Sequence, residues 1–368
     1  MDYTHDLLYQ LALTHVPQIG AVQARLLLEH FDTAEAVFKA KKSVLERIEG
    51  IGPVRAAAVK QFDQFSEQEA EIKFLQQYEI NPLFLKDPDY PQRLLHCYDP
   101  PTLLFFKGNA DLNASKIISI IGTRSNSEYG KQLVHTILEE LAPHRPLIVS
   151  GLAFGVDAIA HKQSLKLQLP TVGVLAHGLD TIYPSQHTSL AKEMIQAGGG
   201  LLTEFHSATK PDRHNFPTRN RIVAGMCDAT VVIETAIKGG SMITANLALG
   251  YNRDVFAVPG RCTDARSEGC NLLILQNKAQ LIRNGKDIAA AMGWESLKKP
   301  AIVQRELFID LTPEERQVVQ LLQGKEHLHI DEINLGCGLN SSAVAAALLS
   351  LELQGVVQSL PGKLFALM

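Results

Sequence analysis

"IISIIGTRSNSEYGKQLVHTILEEL", residues 117–141, decides the fold. Its first five residues are apolar at all positions but Ser119, the mark of a strand buried on both faces. Gly122 then permits a tight turn, and Ser127 stands as an N-cap before a segment of helical period. Short apolar runs recur downstream: "LIVS" (147–150), "TVGVL" (171–175), "LLT" (201–203), "ATVVI" (229–233) and "VFAV" (255–258). Segments of helical period such as "SLAKEMIQAG" (189–198) lie between them. This alternation predicts an α/β domain over residues 116–298, a Rossmann-like parallel sheet with helices on both faces. Ligands of such sheets gather at the carboxyl ends of the strands. The residues that follow each strand are therefore the candidates.

The loop after the first strand offers Gly122, Thr123, Arg124 and Ser127. Amides at a helix N-terminus suit an anion, and the Arg124 guanidinium adds a fork for phosphate; a plain turn with a surface arginine is the simpler alternative. The loop is neither GxGxxG nor a Walker A loop, because Gln132 follows Lys131 and Ser125 stands where the first glycine belongs. Nucleotide hydrolysis therefore has no support. The next loop brings Gly151 and Gly155, then Asp157 and His161 on one helix face. These two are either an acid–base dyad or an aspartate complementing a helix dipole beside a histidine. Another post-strand loop is "AHGLDTIYPSQH" (176–187).

The stretch from 205 to 221 holds Lys210, Arg213, Arg219 and Arg221 against a single acid, Asp212. Asn220 lies between two of these arginines, and Phe216 interleaves with the group. Cations for phosphate plus an aromatic face for a base are what single strands require, and a nucleotide-sized ligand would use the same set. Arg219 is expected to face the ligand and Arg221 to point inward and brace the loop. His206 and His214 flank the patch, so their protonation would make binding pH-sensitive. Last, "KGGSMITA" (238–245) opens a helix with Gly239, Gly240 and Ser241, another set of N-terminal amides.

The whole chain is mildly acidic, net charge −4 over 368 residues, which argues against a surface that coats nucleic acid but allows one basic groove. Its 46% apolar content supplies real cores. Five scattered cysteines form no CxxC, so a disulfide framework or zinc site is not expected and a reducing cytoplasm fits. Nothing calls for a cofactor, a metal or a catalytic residue. No apolar run approaches the roughly 20 residues of a membrane span, and "MDYTHDLLYQ" lacks the basic start of a signal peptide.

Residues 1–65 read as short helices with two related pieces, "VPQIGAVQARLLLEHF" (16–31) and "IEGIGPVRAAAVKQF" (48–62). This pattern resembles a tandem helix-hairpin-helix, or SAM-like, module. Its glycine turns either offer amides to phosphate or simply pack two helices. Residues 66–115, with five prolines in "YEINPLFLKDPDYPQRLLHCYDPPTLLFFKG" (78–108), read as a connecting segment. Residues 299–368 read as a linker followed by a winged helix. Thr312, Pro313 and Glu315 start its first helix, and Asn340 or Ser341 caps a recognition helix over about 341–353. That helix has no Lys or Arg and one acid, Glu352, so the module is expected to contact protein or to bind DNA weakly.

Five motifs in order, "GTRSNSEYG", "SGLAFGVDAIAH", "LAHGLDTIYP", "FPTRNRIVAG" and "GGSMITANLALGYNRDVFAVPG", resemble the DprA/Smf family of DNA-processing proteins. The resemblance covers about 116–262 and implies binding of single-stranded DNA during natural transformation. It also implies protection of that strand, loading of a RecA-type recombinase without covalent chemistry, and a homodimer formed through the Rossmann-like domain. Carried over, the phosphate contacts come from Gly122–Arg124 with Ser127, from Gly151–Gly155 and from 213–221, with Gly239–Ser241 completing the rim. Arg213, three residues before Phe216, would hold a phosphate while the ring stacks a base. The rival is a nucleoside-monophosphate phosphoribohydrolase of similar architecture, whose glycine turn resembles PGGxGTxxE. Here "KGGSMITAN" has no acid after the turn, and Glu234 precedes it.

Overall fold

The computed structural model describes residues 6–294, 311–360 and 362–368. The chain divides into two compact units, Met1–Glu295 and Ser296–Met368. The larger opens with helices α1 (Leu7–His15), α2 (Ala21–His30), α3 (Ala34–Lys39), α4 (Lys42–Leu45), α5 (Gly52–Gln61) and α6 (Phe65–Gln77). Then follow β1 (Asn81–Phe84), α7 (Gln92–Leu95), β2 (Leu103–Gly108), β3 (Ile117–Ile121), α8 (Glu128–Leu141), β4 (Leu147–Ser150) and α9 (Val156–Lys166). After them come β5 (Thr171–Val174), α10 (Thr188–Gln196), β6 (Gly200–Thr203), α11 (Asn215–Gly225), β7 (Ala229–Val232) and α12 (Gly240–Gly250). The unit closes with β8 (Asp254–Ala257), α13 (Glu268–Leu275), β9 (Gln280–Leu281) and α14 (Gly285–Ala291).

Among the described residues the sheet has nine strands in the order β1-β2-β6-β5-β4-β3-β7-β8-β9. From β6 to β9 every pairing is parallel. The chain winds outward from β3 through β4 and β5 to β6, then returns to the other side of β3 for β7 and β8. The reversal leaves a crevice at the carboxyl ends of β3 and β7, where doubly wound proteins bind ligands. Strand pleating divides the core: Ile117 and Ile121 pack with α11 and α12, while Ile118 and Ile120 face α8 and α9.

Residues 66–115 are not a connector. β1 pairs antiparallel with β2, and β2 antiparallel with β6, so this segment builds one margin of the sheet. Its prolines concealed the strands. Pro82 sits on the edge strand, where a missing N–H breaks no ladder on the outer side. In the helical module, Gly50 has φ +83° and Gly52 φ +64°, conformations that favour glycine. Both repeat arginines are engaged within the unit. Arg25 Nε lies 3.2 Å from Glu29, and Arg55 donates to the carbonyls of Gln18 and Gly50.

The smaller unit contains α15 (Pro313–Leu322), β10 (Leu328–His329), α16 (Ile330–Cys337), α17 (Ser341–Leu353), β11 (Val357–Leu360) and β12 (Leu364–Leu367). Its three strands pair antiparallel in the order β10-β12-β11, giving the winged-helix pattern. Thr312 and Glu315 form a capping box on α15. Asn340, rather than Ser341, caps α17 by accepting from the Ala343 amide at 2.8 Å. The linker expected over 299–310 lies outside the described residues.

Candidate nucleic-acid interface

The crevice beside β3 and β7 holds a cavity of about 390 Å³. Gly122, Thr123, Arg124, Gly151, Phe216, Arg219, Asn220, Gly239, Gly240 and Ser241 all line it. Post-strand loops far apart in sequence thus converge on one site. The Thr123 amide donates to the Glu234 carbonyl at 2.7 Å, and the Val156 amide donates to Thr123 O at 3.2 Å. These bonds pin the first loop between the ends of β7 and α9. Gly155, at φ +80°, does not line the cavity; a Cβ there would overlap the backbone of Thr123 and Arg124, so glycine lets the two loops abut.

Arg124 lays its guanidinium 5.3 Å from the centroid of the Phe216 ring. A stacked guanidinium has its plane fixed while its outer N–H groups stay available to phosphate. The expectation was of Arg213 holding a phosphate while the Phe216 ring stacks a base; it is Arg124 that lies over the ring. Arg213 is exposed and directs its Nε to the His214 ring at 3.1 Å. Lys210 is likewise exposed, so both cations stand outside the cavity on the segment leading into α11.

A smaller recess of about 40 Å³ opens from the same place, sharing Arg124, Ala153, Phe216 and Arg219 with the main cavity. Phe154, Tyr183 and Pro184 wall it. Phe154 is 46% exposed and Tyr183 49%, large apolar faces without cover beside a cationic cleft. The Tyr183 ring lies 6.3 Å from Phe216. Sequence reasoning missed both residues, although each sits in a post-strand loop. The overlooked signal was an aromatic between glycines in "GLAFGVD" and another before proline in "TIYP".

Arg219 differs from its expected exposure. It is 6% exposed, on the cavity floor, with its Nη1 donating to the Val174 carbonyl and its Nε to Asn220 at 3.1 Å. Asp157 is buried beside it; burial raises its carboxyl above the ordinary range, and the Arg219 charge opposes that rise. Burial also lowers the Arg219 guanidinium. Gly151 makes room for both, since a Cβ there would overlap the Arg219 guanidinium and the Asp157 carboxylate. Asp157 and His161 form no dyad. The His161 ring bonds Thr171 Oγ1 at 2.7 Å and the Gly151 carbonyl at 2.6 Å, and burial pushes it down to about 4. Arg221, carried over among the phosphate contacts of 213–221, points inward to Glu204 and the Asp99 carbonyl.

Ser127 is engaged within the fold. It caps α8 by accepting from the Gly130 amide at 3.0 Å, while its own amide donates to Glu234 Oε2 at 2.8 Å and its hydroxyl to the other carboxylate oxygen. Glu234, 3% exposed, thereby fills the anion site at the start of α8. The start of α12 contrasts with it. Gly239 provides no side-chain cap, and a Cβ at Gly240 would meet only open space. The Ser241 hydroxyl is turned to Thr235 at 2.9 Å, so the site there is the helix amides. His206 is also engaged within the fold. Burial and the neighbouring His15 push it down to about 3, and it packs 3.8 Å from the His15 ring and 3.0 Å from Thr14 Oγ1.

A larger cavity, about 570 Å³, lies by β1 and β2, lined by Glu79, Asp89 and Asp111 with Lys107 as its one cation. That charge is wrong for phosphate, and none of the loops that follow the parallel strands lines it. Fold and cleft together define a doubly wound protein with an uncapped helix start, a stacked arginine and exposed aromatics at its switch point. The model of the DNA recombination-mediator protein A family matches residues 81–293, and the chain belongs to that family. The DprA winged helix domain matches 308–363, and a helix-hairpin-helix motif matches 7–72. Protein Smf of Synechocystis is 32% identical over 397 residues, covering 96% of this chain and 97% of its own. The DNA processing protein DprA of Bacillus subtilis is 37% identical over 64% of this chain and 80% of its own. The crystal structure of DprA from Streptococcus pneumoniae superposes with a TM-score of 0.65 at 31% identity, covering 79% of this chain and 98% of that one. DNA processing protein A of Helicobacter pylori, described for its single-stranded DNA binding mode, gives 0.53 at 31% identity, over 59% and 97%.

Proposed function

We propose that this cleft binds single-stranded DNA through its backbone and base faces, without marked sequence preference, and that the protein protects the strand and hands it to a RecA-type recombinase. The observation that carries this reading is Arg124 stacked on Phe216, between an uncapped helix start and two exposed aromatics. Amides and a guanidinium accept any phosphate, and aromatic faces accept any base, so the set favours single strands over duplex. In this reading the protein works in the cytoplasm as a homodimer through its larger unit, as the resemblance of its motifs implies.

No covalent chemistry is part of the proposal. Glu234, the acid a phosphoribohydrolase would need, is held by Ser127, and Asp157 faces Arg219. In a gel-shift competition, unstructured single strands should displace bound single strands far better than duplex of equal length does. Equal competition would defeat the proposal. Release of adenine from AMP, abolished by Glu234→Gln, would establish the enzyme instead.

A further inference from the structure

A second cleft, about 510 Å³, lies between α8, α9 and α10. Lys131, Lys162 and Lys166 line it, with His135 from α8 and one acid, Glu193, from α10. Lys131 also lies 3.3 Å from Glu128, an exposed pair on the same helix. Lys162 and Lys166 are exposed and form no ion pair among the described residues. They stand four apart on α9, an arrangement that repels and weakens a helix by a few tenths of a kcal/mol. In a chain of net charge −4, two unpaired like charges facing a concave surface are suited to a polyanion.

The position of this cleft names the polyanion. His187 lines it, and the His187 ring packs 4.9 Å from Phe154, which walls the recess beside Arg124 and Phe216. His187 also bonds the Leu152 carbonyl at 2.8 Å, fixing this junction to the end of β4. Phosphate-binding groups at the switch point, then the aromatics Phe216, Tyr183 and Phe154, then lysines, form a continuous series. Stacking faces that lead on to cations suit a single strand, which presents bases and phosphates together.

We propose that the strand held at the switch point continues past Phe154 and lays its phosphates along Lys162 and Lys166. This rests on the single-strand reading of the first cleft, and oligonucleotide length separates the two. Oligothymidylates from about 5 to about 20 nucleotides span the site sizes of single-strand binding folds. Wild type should gain affinity with length beyond what the number of registers accounts for. Lys162→Gln with Lys166→Gln should leave the shortest oligomers unaffected and weaken the longest about three- to tenfold. The salt slope for the longest should fall by about 1.4, two phosphate contacts on a single strand. Lys192→Gln with Lys286→Gln, two exposed lysines outside the cleft, should change neither. A length-independent loss, no loss at any length, or an equal loss from the Lys192 and Lys286 variant would overturn the track while leaving the first cleft standing. Failure of wild type to bind any oligomer would end both. All four lysines are exposed, and matching urea midpoints would show that the variants fold.

Discussion

Arg219 sits where the missing side chain of Gly151 leaves room for it, and its role follows from that place. It is a buried cation beside a buried carboxylate, so its first duty is to the loop architecture. Arg219→Ala would leave the buried Val174 carbonyl without its donor and remove the charge beside Asp157, which costs on the order of 1–3 kcal/mol. Urea unfolding should show that loss, and an unchanged midpoint would mean that Arg219 acts only on ligand. Phe216 is different because its ring faces the cavity. Phe216→Ala should cost about 1–3 kcal/mol of single-strand affinity with little change in salt slope, since stacking releases no counterions. A titration giving an unchanged dissociation constant would remove Phe216 from the site. The sequence pointed to both residues but could not tell them apart. Three apart on α11, they share a helix face, and what separates them is how deep the cleft buries each.

At the scale of elements, two adjacent helix starts have opposite fates. α8 is closed by the carboxylate of Glu234, whereas α12 is open. Nothing local in "IETAIKGG" reveals that its glutamate reaches across to Ser127, a contact between residues 107 apart. The segment after β6 shows the same long reach. Buried Glu71 on α6 accepts the Ser207 amide at 3.0 Å and its hydroxyl, while Thr14 on α1 meets His206. The helical module thus anchors the segment that carries Lys210 and Arg213, and its own arginines are engaged within the unit. Glu71→Gln should weaken single-strand binding by the same interactions that Lys210→Ala with Arg213→Ala removes. A double-mutant cycle should therefore be non-additive by about 0.5–1 kcal/mol, and strict additivity would refute the anchoring. The buried histidines set a pH response of stability. His161 and His206 have folded values of about 4 and about 3, below the ordinary 6.5. Below pH 6.5 the unfolded chain takes up protons that the folded chain refuses, so stability is full above 6.5 and falls toward pH 4. Unfolding free energies from urea titrations should drop by about 3–4 kcal/mol between pH 7 and pH 5, roughly half from each ring. A flat profile would contradict the burial of these rings as neutral bases.

On the scale of the whole molecule, the six central strands and the binding edge were legible because buried parallel strands read as apolar runs. The antiparallel margin was not, because prolines at a sheet edge look like those of a loop. Phe154 and Tyr183 were passed over because exposure, not identity, marks a stacking aromatic. The winged helix was legible from caps and order. Leu349 and Leu353 of α17, 60% and 82% exposed, join the lack of lysine and arginine in favouring protein contact there over groove reading. Single-strand binding turns on Arg124, among the described residues the one cation that lines the cavity, lies over its aromatic and is not buried in the floor. The most direct test is the salt dependence of single-strand affinity for wild type and Arg124→Ala, measured on several unrelated sequences. The account predicts weaker binding to all of them by a similar factor, with the slope of log affinity against log salt shallower by about 0.7. An unchanged slope, or a loss confined to one sequence, would contradict it.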